Sequence, residues 1–561
     1  MLNPREIDLS DQKWLPGDKK VVTDVNAAVS SQNAVVTYTM LKVIEEGGNA
    51  ADAIIAGSIL QATLEPFMTN HTGTVTMLYY HKSEDKYYQL DSTGTFPADL
   101  PGHQPVPLGM APFAIGMQPR SVIPAMMPGL KEIHEKFASK PWAELCADAI
   151  WWAENGHEIS LFEYQVNAAC QDFTTFFPEG RKFYLPEGRL KRVGEKFYNA
   201  EIVETLRKVA EQGPDYMITG GWADAFIKKA NELGWHINKA HMTETPPRWI
   251  EPLRFKIRDY EIVSLAPPQQ QGIFIAVVLG ILDKLEIDKY APYSAEHIFF
   301  MSHALKLATD TCGYNHDPEV LSCETDVFLD EDLHAHLAKL IKGMVPRVDL
   351  TNHVEMTTGY TGMGKIPTRQ HSYVGPSVSC DSCEISIVDR EGNWLQSMNT
   401  LQSGGIPGMV VGGVPMVGSH AIPNRFGAMA FYQAKGSRIK DVKGNTFVLK
   451  DGKPVLALGT PGNVQCTVPQ VLCNYIFYGM EPYQAACEPR MLPIEEGMHI
   501  IIEDRMTDAV LDQLMAMGIR VKVSNVWDGR MGAFQMCYID RKTGKLSTAT
   551  DPRGCGVADG I

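Results

Sequence analysis

The residues most able to do chemistry lie together at Ser377-Val-Ser-Cys380-Asp381-Ser382-Cys383-Glu384. Hydroxyls, thiols and carboxylates crowd here just ahead of a strand-like run. A serine, threonine or cysteine becomes a nucleophile only when a base takes its proton. One solution needs no second side chain. If the backbone is cut just before such a residue, its freed α-amine can be the base. An α-amine has a pKa of about 8, so part of it is neutral at pH 7. The competing reading is a polar loop entering a strand.

A second place is Gly459-Thr-Pro-Gly462-Asn463, a tight turn after an apolar strand. Such a turn can aim two backbone N–H groups at one oxygen, which is what an oxyanion hole requires. It can equally be a plain strand-to-helix turn. Met68-Thr-Asn-His71-Thr-Gly73-Thr lacks the glycine spacing of a phosphate loop. A lone histidine such as His71 is more often structural than catalytic. His297, Met301 and His303 share a helical run without the HExxH spacing of a zinc site. Met126-Met127 reads as core packing. No metal and no cofactor is expected.

The elements that must position these residues follow from patterning. Val36, Met40, Val43 and Ile44 recur at helical spacing until Gly47-Gly48, and a second helix runs from about Ala50 to Leu64. Residues 129–245 read as mostly helical, as do 273–283 and 295–309. Strand pairs are read at 77–80 with 86–90, 384–388 with 394–398, 446–449 with 454–458, and 537–540 with 546–549. The first twenty residues, polar and proline-punctuated, read as a poorly ordered arm. A helix-rich front and a strand-rich back predict an α+β layered fold.

Composition narrows the function. The chain has 561 residues, ample for a large core, and a net charge of −15. That sign disfavours nucleic acid and anionic membranes as partners. No apolar run reaches the ~18 residues of a membrane span, and the N-terminus lacks a signal-peptide core. Eleven scattered cysteines fit a reduced, cytoplasmic protein.

Taken in order, the motifs resemble those of the γ-glutamyltranspeptidase family of N-terminal-nucleophile hydrolases. Gly47-Gly-Asn49-Ala-Ala-Asp52-Ala is similar to the family's GGNAxDA. Ile123-Pro124 and Pro128-Gly129-Leu130 are similar to its VPGxxxGL, and Pro267-Pro268-Gln-Gln-Gln271-Gly272 stands for PPxSGG. Ser386-Ile-Val-Asp389-x-x-Gly392-Asn393 resembles SVVDxxGN, and Gly459-Thr-Pro461-Gly462 resembles GSPGG. Glu488-Pro489-Arg490 and Ala549-Thr-Asp551-Pro552-Arg553 are similar to APR and ASDPR. The resemblance runs from about residue 26 to 556.

The resemblance implies a four-layer αββα sandwich and a precursor that cuts itself. Counting back four residues from Ser386 places the cut between Asp381 and Ser382, with Ser382 as nucleophile and Cys383 as the alternative if the register slips by one. It implies a large chain 1–381 and a small chain 382–561, interwoven in one core and able to pair into a dimer of heterodimers. Thr400 corresponds to the family's supporting threonine, and Gly462 and Asn463 to its oxyanion glycines.

The departures concern substrate. Thr93, in Asp91-Ser-Thr93-Gly-Thr-Phe-Pro97, replaces the arginine that clamps the glutamyl α-carboxylate in the family. A threonine cannot offer that bidentate charged fork. Gln402 replaces an asparagine, the acid run becomes Pro423-Asn424-Arg425-Phe426-Gly427-Ala428, and the family's serine pair falls near Asp441-Val442. The expectation is an amide hydrolase acting on a small amide other than a γ-glutamyl one. Two further readings stay open: γ-glutamyl transfer with relocated ligands, Arg425 among them, and a non-processing relative that only binds a ligand or partner.

Overall fold

The computed structural model describes residues 2–95, 97–99, 123–232, 236–322, 324–344, 370–371, 382–401, 408–416, 436–438, 440, 442–493 and 499–561. In chain order the core strands are β1 (Val22–Thr23), β2 (Ala28–Ser31), β3 (Thr74–His81), β4 (Lys86–Ser92), β5 (Arg248–Ile250), β6 (Leu253–Ile257) and β7 (Tyr260–Ser264). They continue with β8 (Ser382–Val388), β9 (Trp394–Thr400), β10 (Thr446–Lys450), β11 (Lys453–Gly459), β12 (Gln535–Ile539), β13 (Leu546–Thr550) and β14 (Val557–Gly560). They form two seven-stranded sheets, ordered β14-β2-β8-β9-β3-β4-β5 and β1-β13-β12-β11-β10-β7-β6. Every neighbouring pair in both is antiparallel.

Helices cover both outer faces. Helices α1 (Ala34–Glu45), α2 (Ala50–Leu64) and α3 (Met126–Phe137) pack on Val29, Val75, Met77, Ile385, Ile387 and Leu395 of the first sheet. Helices α4 (Gln271–Lys284), α5 (Ala295–Cys312) and α6 (Val464–Ile476) pack on Ile262, Val448, Leu456 and Met536 of the second. Leu78, Tyr80, Val388, Trp394, Phe447 and Leu449 fill the space between the sheets. The architecture is a four-layer αββα sandwich.

Several sequence motifs turn out to be scaffolding. Asn49 caps α2 in a capping box with Asp52, which satisfies orphan N–H groups at the helix start. Asp52 also accepts from Ser139 and Lys140 N–H at 2.9 and 2.8 Å, which ties α2 to the end of α3. Asp389 accepts from the N–H groups of Ala50, Glu391 and Asn393, so the β8–β9 turn is pinned to α2. Arg490 and Arg553 converge on Asp551, all three buried. Arg553 also makes two 2.6 Å bonds to Glu503. Arg490 donates to the carbonyls of Met531 and Gly532 at 2.7 and 3.2 Å.

Two expectations are corrected. The first twenty residues are not loose: Ile7 and Leu9 are buried, Arg5 pairs with Asp148 at 2.7 Å, and Gly17 N–H reaches Pro552 O at 2.8 Å. The front of the chain also supplies strands beyond the expected 77–80 with 86–90 pair: β2 joins the sheet of β3, β4, β8 and β9, and β7 pairs with β10. The strands at 28–31 and 248–264 carry little local signal because they are defined by partners remote in sequence.

Burial alone would raise the Asp551 carboxyl, yet Arg490 and Arg553 hold it below the ordinary carboxylate range. Its stabilising contribution is therefore present above the unfolded pKa of about 3.9 and is lost as pH falls through the folded value. Arg490→Met leaves the buried Asp551 carboxylate with Arg553 as its one guanidinium partner and unseats the Met531 and Gly532 carbonyls, and is expected to lower stability by about 3–5 kcal/mol. Urea unfolding followed by tryptophan fluorescence at pH 7 checks this; an unchanged midpoint would refute it.

Candidate active site

Ser382 opens β8, the third strand of its sheet. Its first three residues pair with β9 alone, because β2 joins only at Ile385. Ser382 Oγ donates to Thr400 Oγ1 at 3.0 Å across the ladder. Ser382 is 8 % exposed and Thr400 fully buried. The pair lies at the strand ends, where a cut before Ser382 would leave its amine at the sheet's rim.

Strand alternation sorts the neighbours. Ser382 and Glu384 face the space between the sheets. Cys383 faces the other way, into a cluster of Phe67, Met68, Val166 and Cys170. Its thiol lies 3.8 Å from Glu65 Oε2. Burial, with the Glu65 carboxyl adding to it, pushes the Cys383 thiol up. Burial likewise raises Glu65. In this register the structure brings Ser382 to Thr400, and does not bring Cys383 there. A buried thiol with a raised pKa is a poor nucleophile.

Glu384 belongs to the chemistry-bearing run, yet nothing in the sequence assigns it a role. It is fully buried. Its Oε1 accepts from Gln396 Nε2 at 2.7 Å and Asn445 Nδ2 at 3.4 Å. Burial raises its carboxyl well above the ordinary range, against Gln396 and the positive charge of Lys443. Across the gap it abuts Gly459, where a Cβ would lie 2.1 Å from Glu384 Oε1. So one carboxyl touches both the strand of Ser382 and the root of the glycine turn. The one available signal was the parity of 382 and 384.

The turn itself is propped from beneath. Gly462 has φ +81°, open to glycine and costly for other residues. Asn463 caps α6 through its side chain. Its N–H donates to Arg530 O at 3.1 Å, so in this uncut chain that group is engaged rather than presented to a ligand. Thr460 Oγ1 accepts from Ala533 N–H at 2.7 Å. Residues 530–533 therefore seat the turn, and Arg490 holds the carbonyls of Met531 and Gly532 in that same segment.

Thr93 lies beyond the end of β4, with its hydroxyl 2.8 Å from Asp91 Oδ1. Arg248 reaches Asp91 and Asp317 at 3.4 Å each. His71 is buried and its ring is pushed down to about 4 by burial; it lies 3.4 Å from Thr63 Oγ1, inside the fold. Asp381, Gln402, Arg425 and Asp441 lie outside the described residues. Among the described residues no group of three or more His, Cys, Asp or Glu is placed to hold a metal ion.

The contact between Glu384 and Gly459 yields a test. Gly459→Ala inserts a methyl into an occupied space and is expected to cost about 1–3 kcal/mol. Glu384→Ala alone also destabilises, but the double variant recovers part of the Gly459→Ala loss. A double-mutant cycle in urea checks this; strict additivity would show that the two residues do not couple.

Comparison with known proteins bears on the family and the fold. The chain is 25% identical over 560 residues to a glutathione hydrolase proenzyme of Pseudomonas aeruginosa, covering 94% of each. It is 22% identical over 566 residues to the acylase ACY 1 proenzyme of a Pseudomonas species, covering 97% of this chain and 96% of that one. A crystal structure of cephalosporin acylase from Bacillus halodurans superposes with a TM-score of 0.78 at 21% identity, covering 99% of both chains. The profile of the gamma-glutamyltranspeptidase family matches residues 37–561. The chain belongs to the gamma-glutamyltranspeptidase family, whose glutathione hydrolases and acylases break C–N amide bonds.

Proposed function

We propose that this protein is a self-processing amide hydrolase whose nucleophile is Ser382, acting on a small amide other than a γ-glutamyl one. The observation that carries the reading is the 3.0 Å bond from Ser382 Oγ to Thr400 at the open end of a central strand. Relatives named as proenzymes, a glutathione hydrolase and an acylase among them, support a processed enzyme.

Processing starts when Ser382 Oγ adds to the Asp381 carbonyl carbon. The C–N bond breaks as the nitrogen takes up a proton. Water then hydrolyses the ester, leaving an Asp381 carboxylate and a free amine on Ser382. The large chain 1–381 and small chain 382–561 stay interwoven through the β2–β8 and β9–β3 ladders.

In turnover the neutral Ser382 amine takes the Oγ proton as Oγ attacks the substrate carbonyl. The same proton passes to the leaving amine, and water resolves the acyl ester. Thr400 orients Oγ. Gly462 N–H is the first oxyanion donor, and Asn463 N–H joins once it exchanges its bond to Arg530. Thr93 cannot hold a carboxylate as an arginine would, which points away from γ-glutamyl donors. Gln402, Arg425 and Asp441 stay assigned to the substrate side by sequence correspondence.

Intact mass with N-terminal sequencing tests the reading. Two fragments are expected, the second starting at Ser382, and Ser382→Ala should remain one chain without activity. A start at Cys383, or an uncut chain stable over days, would overturn it. Because the base must be neutral, kcat/KM is expected to rise with pH through the α-amine titration, which lies near ~8 for a free amine. A profile flat from pH 6 to 9 would count against the amine as base.

A further inference from the structure

Asn463 is bonded at every polar group but one. Its N–H donates to Arg530 O at 3.1 Å. Its carbonyl accepts from Thr467 N–H at 3.1 Å and from Thr467 Oγ1 at 2.8 Å. Its Oδ1 accepts from Cys466 N–H at 3.3 Å, the bond that caps α6. That bond also settles which way the amide lies, because an N–H needs an oxygen opposite it. Nδ2 is left with two N–H bonds and no acceptor among the described residues. Backbone conformation does not call for a glycine here: φ is −80° at Asn463, against +81° at Gly462.

Packing between the sheets brings this amide to the height of the nucleophile. Ala457 shares the hydrocarbon end of the interlayer space with Val388 and Trp394. Farther along β11, a Cβ at Gly459 would lie 2.1 Å from Glu384 Oε1 and 2.8 Å from Gln396 Nε2. So β11 runs toward the Ser382 end of β8, and the next step along it brings Pro461 level with Ser382. Gly462 and Asn463 follow at once, across the gap of about 10 Å that separates packed sheets. Gly462 is exposed and Asn463 half-buried, so both are open to a ligand. The Asn463 N–H can serve only by leaving Arg530, and Arg530 is itself pinned. Its N–H and its Nε each donate to Asp528 Oδ1 at 3.0 Å. The side-chain amide needs no such exchange.

We propose that Asn463 Nδ2 is an oxyanion donor, acting beside Gly462 N–H before the Asn463 N–H leaves Arg530. The proposal rests on the reading of Ser382 as nucleophile. As Ser382 Oγ bonds to the substrate carbonyl carbon, the C=O electron pair moves onto the oxygen, and both donors tighten on it. As the bond to the leaving group breaks, the pair returns to the carbonyl. A glycine at this position offers a backbone donor alone. The asparagine adds a second donor, and its helix cap holds that donor still. A cap by itself would explain asparagine equally well, since aspartate and serine cap as strongly. Substitution separates the two roles.

The probe is p-nitrophenyl acetate, a small activated ester that asks little of an acyl pocket. Ser382 Oγ displaces p-nitrophenolate, its proton passes to the α-amine, and an acetyl ester is left on Ser382. Processed wild type is compared with Asn463→Asp, Asn463→Ser and Asn463→Gly. Aspartate and serine keep the cap, and glycine keeps the backbone N–H. All three variants are expected to process, to unfold near the wild-type urea midpoint, and to acylate about tenfold or more slowly. Acylation of Asn463→Gly or Asn463→Ser at the wild-type rate would overturn the proposal, as would loss of folding or processing in all three; either result leaves a cap alone. Failure of the nucleophile reading shows differently: the wild type stays uncut, or mass analysis finds no acetyl group on Ser382.

Discussion

A residue placed to become a chain terminus inside a sandwich must sit at the end of a strand, yet a strand buried on both faces must satisfy every polar group it carries. β8 meets the first demand and most of the second, with Glu384 Oε2 lacking a hydrogen-bond partner among the described residues. Every one of its residues is buried, and its interlayer face holds Ser382, Glu384 and Ser386. The space between the sheets is therefore divided along its length. Near Ser382 it is a hydrogen-bonded polar layer, with Gln396 and Asn445 on Glu384 and Thr76 on Asn445 at 2.7 Å. Near Val388 and Trp394 it is hydrocarbon and aromatic. The apolar end supplies cohesion, and the polar end supplies geometry.

The opposite side of the site depends on charge rather than on the ladder. Arg490, Arg553, Asp551 and Glu503 are buried together. Such a cluster is costly to desolvate and worthwhile only when each member is well bonded. Here its bonds run into the 531–534 backbone, which in turn seats Thr460. Two motifs that look like separate landmarks, near 490 and near 551, are thus one object folded under the glycine turn.

What the sequence made legible was whatever is decided locally. The four hairpins, the helices at 34–45 and 50–64, and the capping pair Asn49 and Asp52 all have short-range signatures. What stayed hidden was decided at a distance. β2 is a strand because residues 385–388 and 557–560 flank it. Glu384 and Gly459, 75 positions apart, fit only because one lacks a side chain. The Asn463 N–H could be read as a free donor until Arg530 was seen to occupy it. The first twenty residues look loose in composition, and are held by Asp148 and Pro552. The sequence correspondence did place Ser382 beside Thr400, because both lie on hairpin strands whose register the turn at Asp389–Asn393 sets.

The outermost strand of the first sheet has a temporal meaning. β14 pairs with β2, which pairs with β8, and the Ile561 carbonyl accepts from Asn26 and Ala27. A growing polypeptide lacks that flank until residues 557–561 have left the ribosome. The β2 edge is unpaired through most of synthesis, and Thr37 of α1 lacks its bond to the Val557 carbonyl until then. Closure of the β2 edge of this sheet therefore waits until residues 557–561 have been made, long after β8 and β9 can pair.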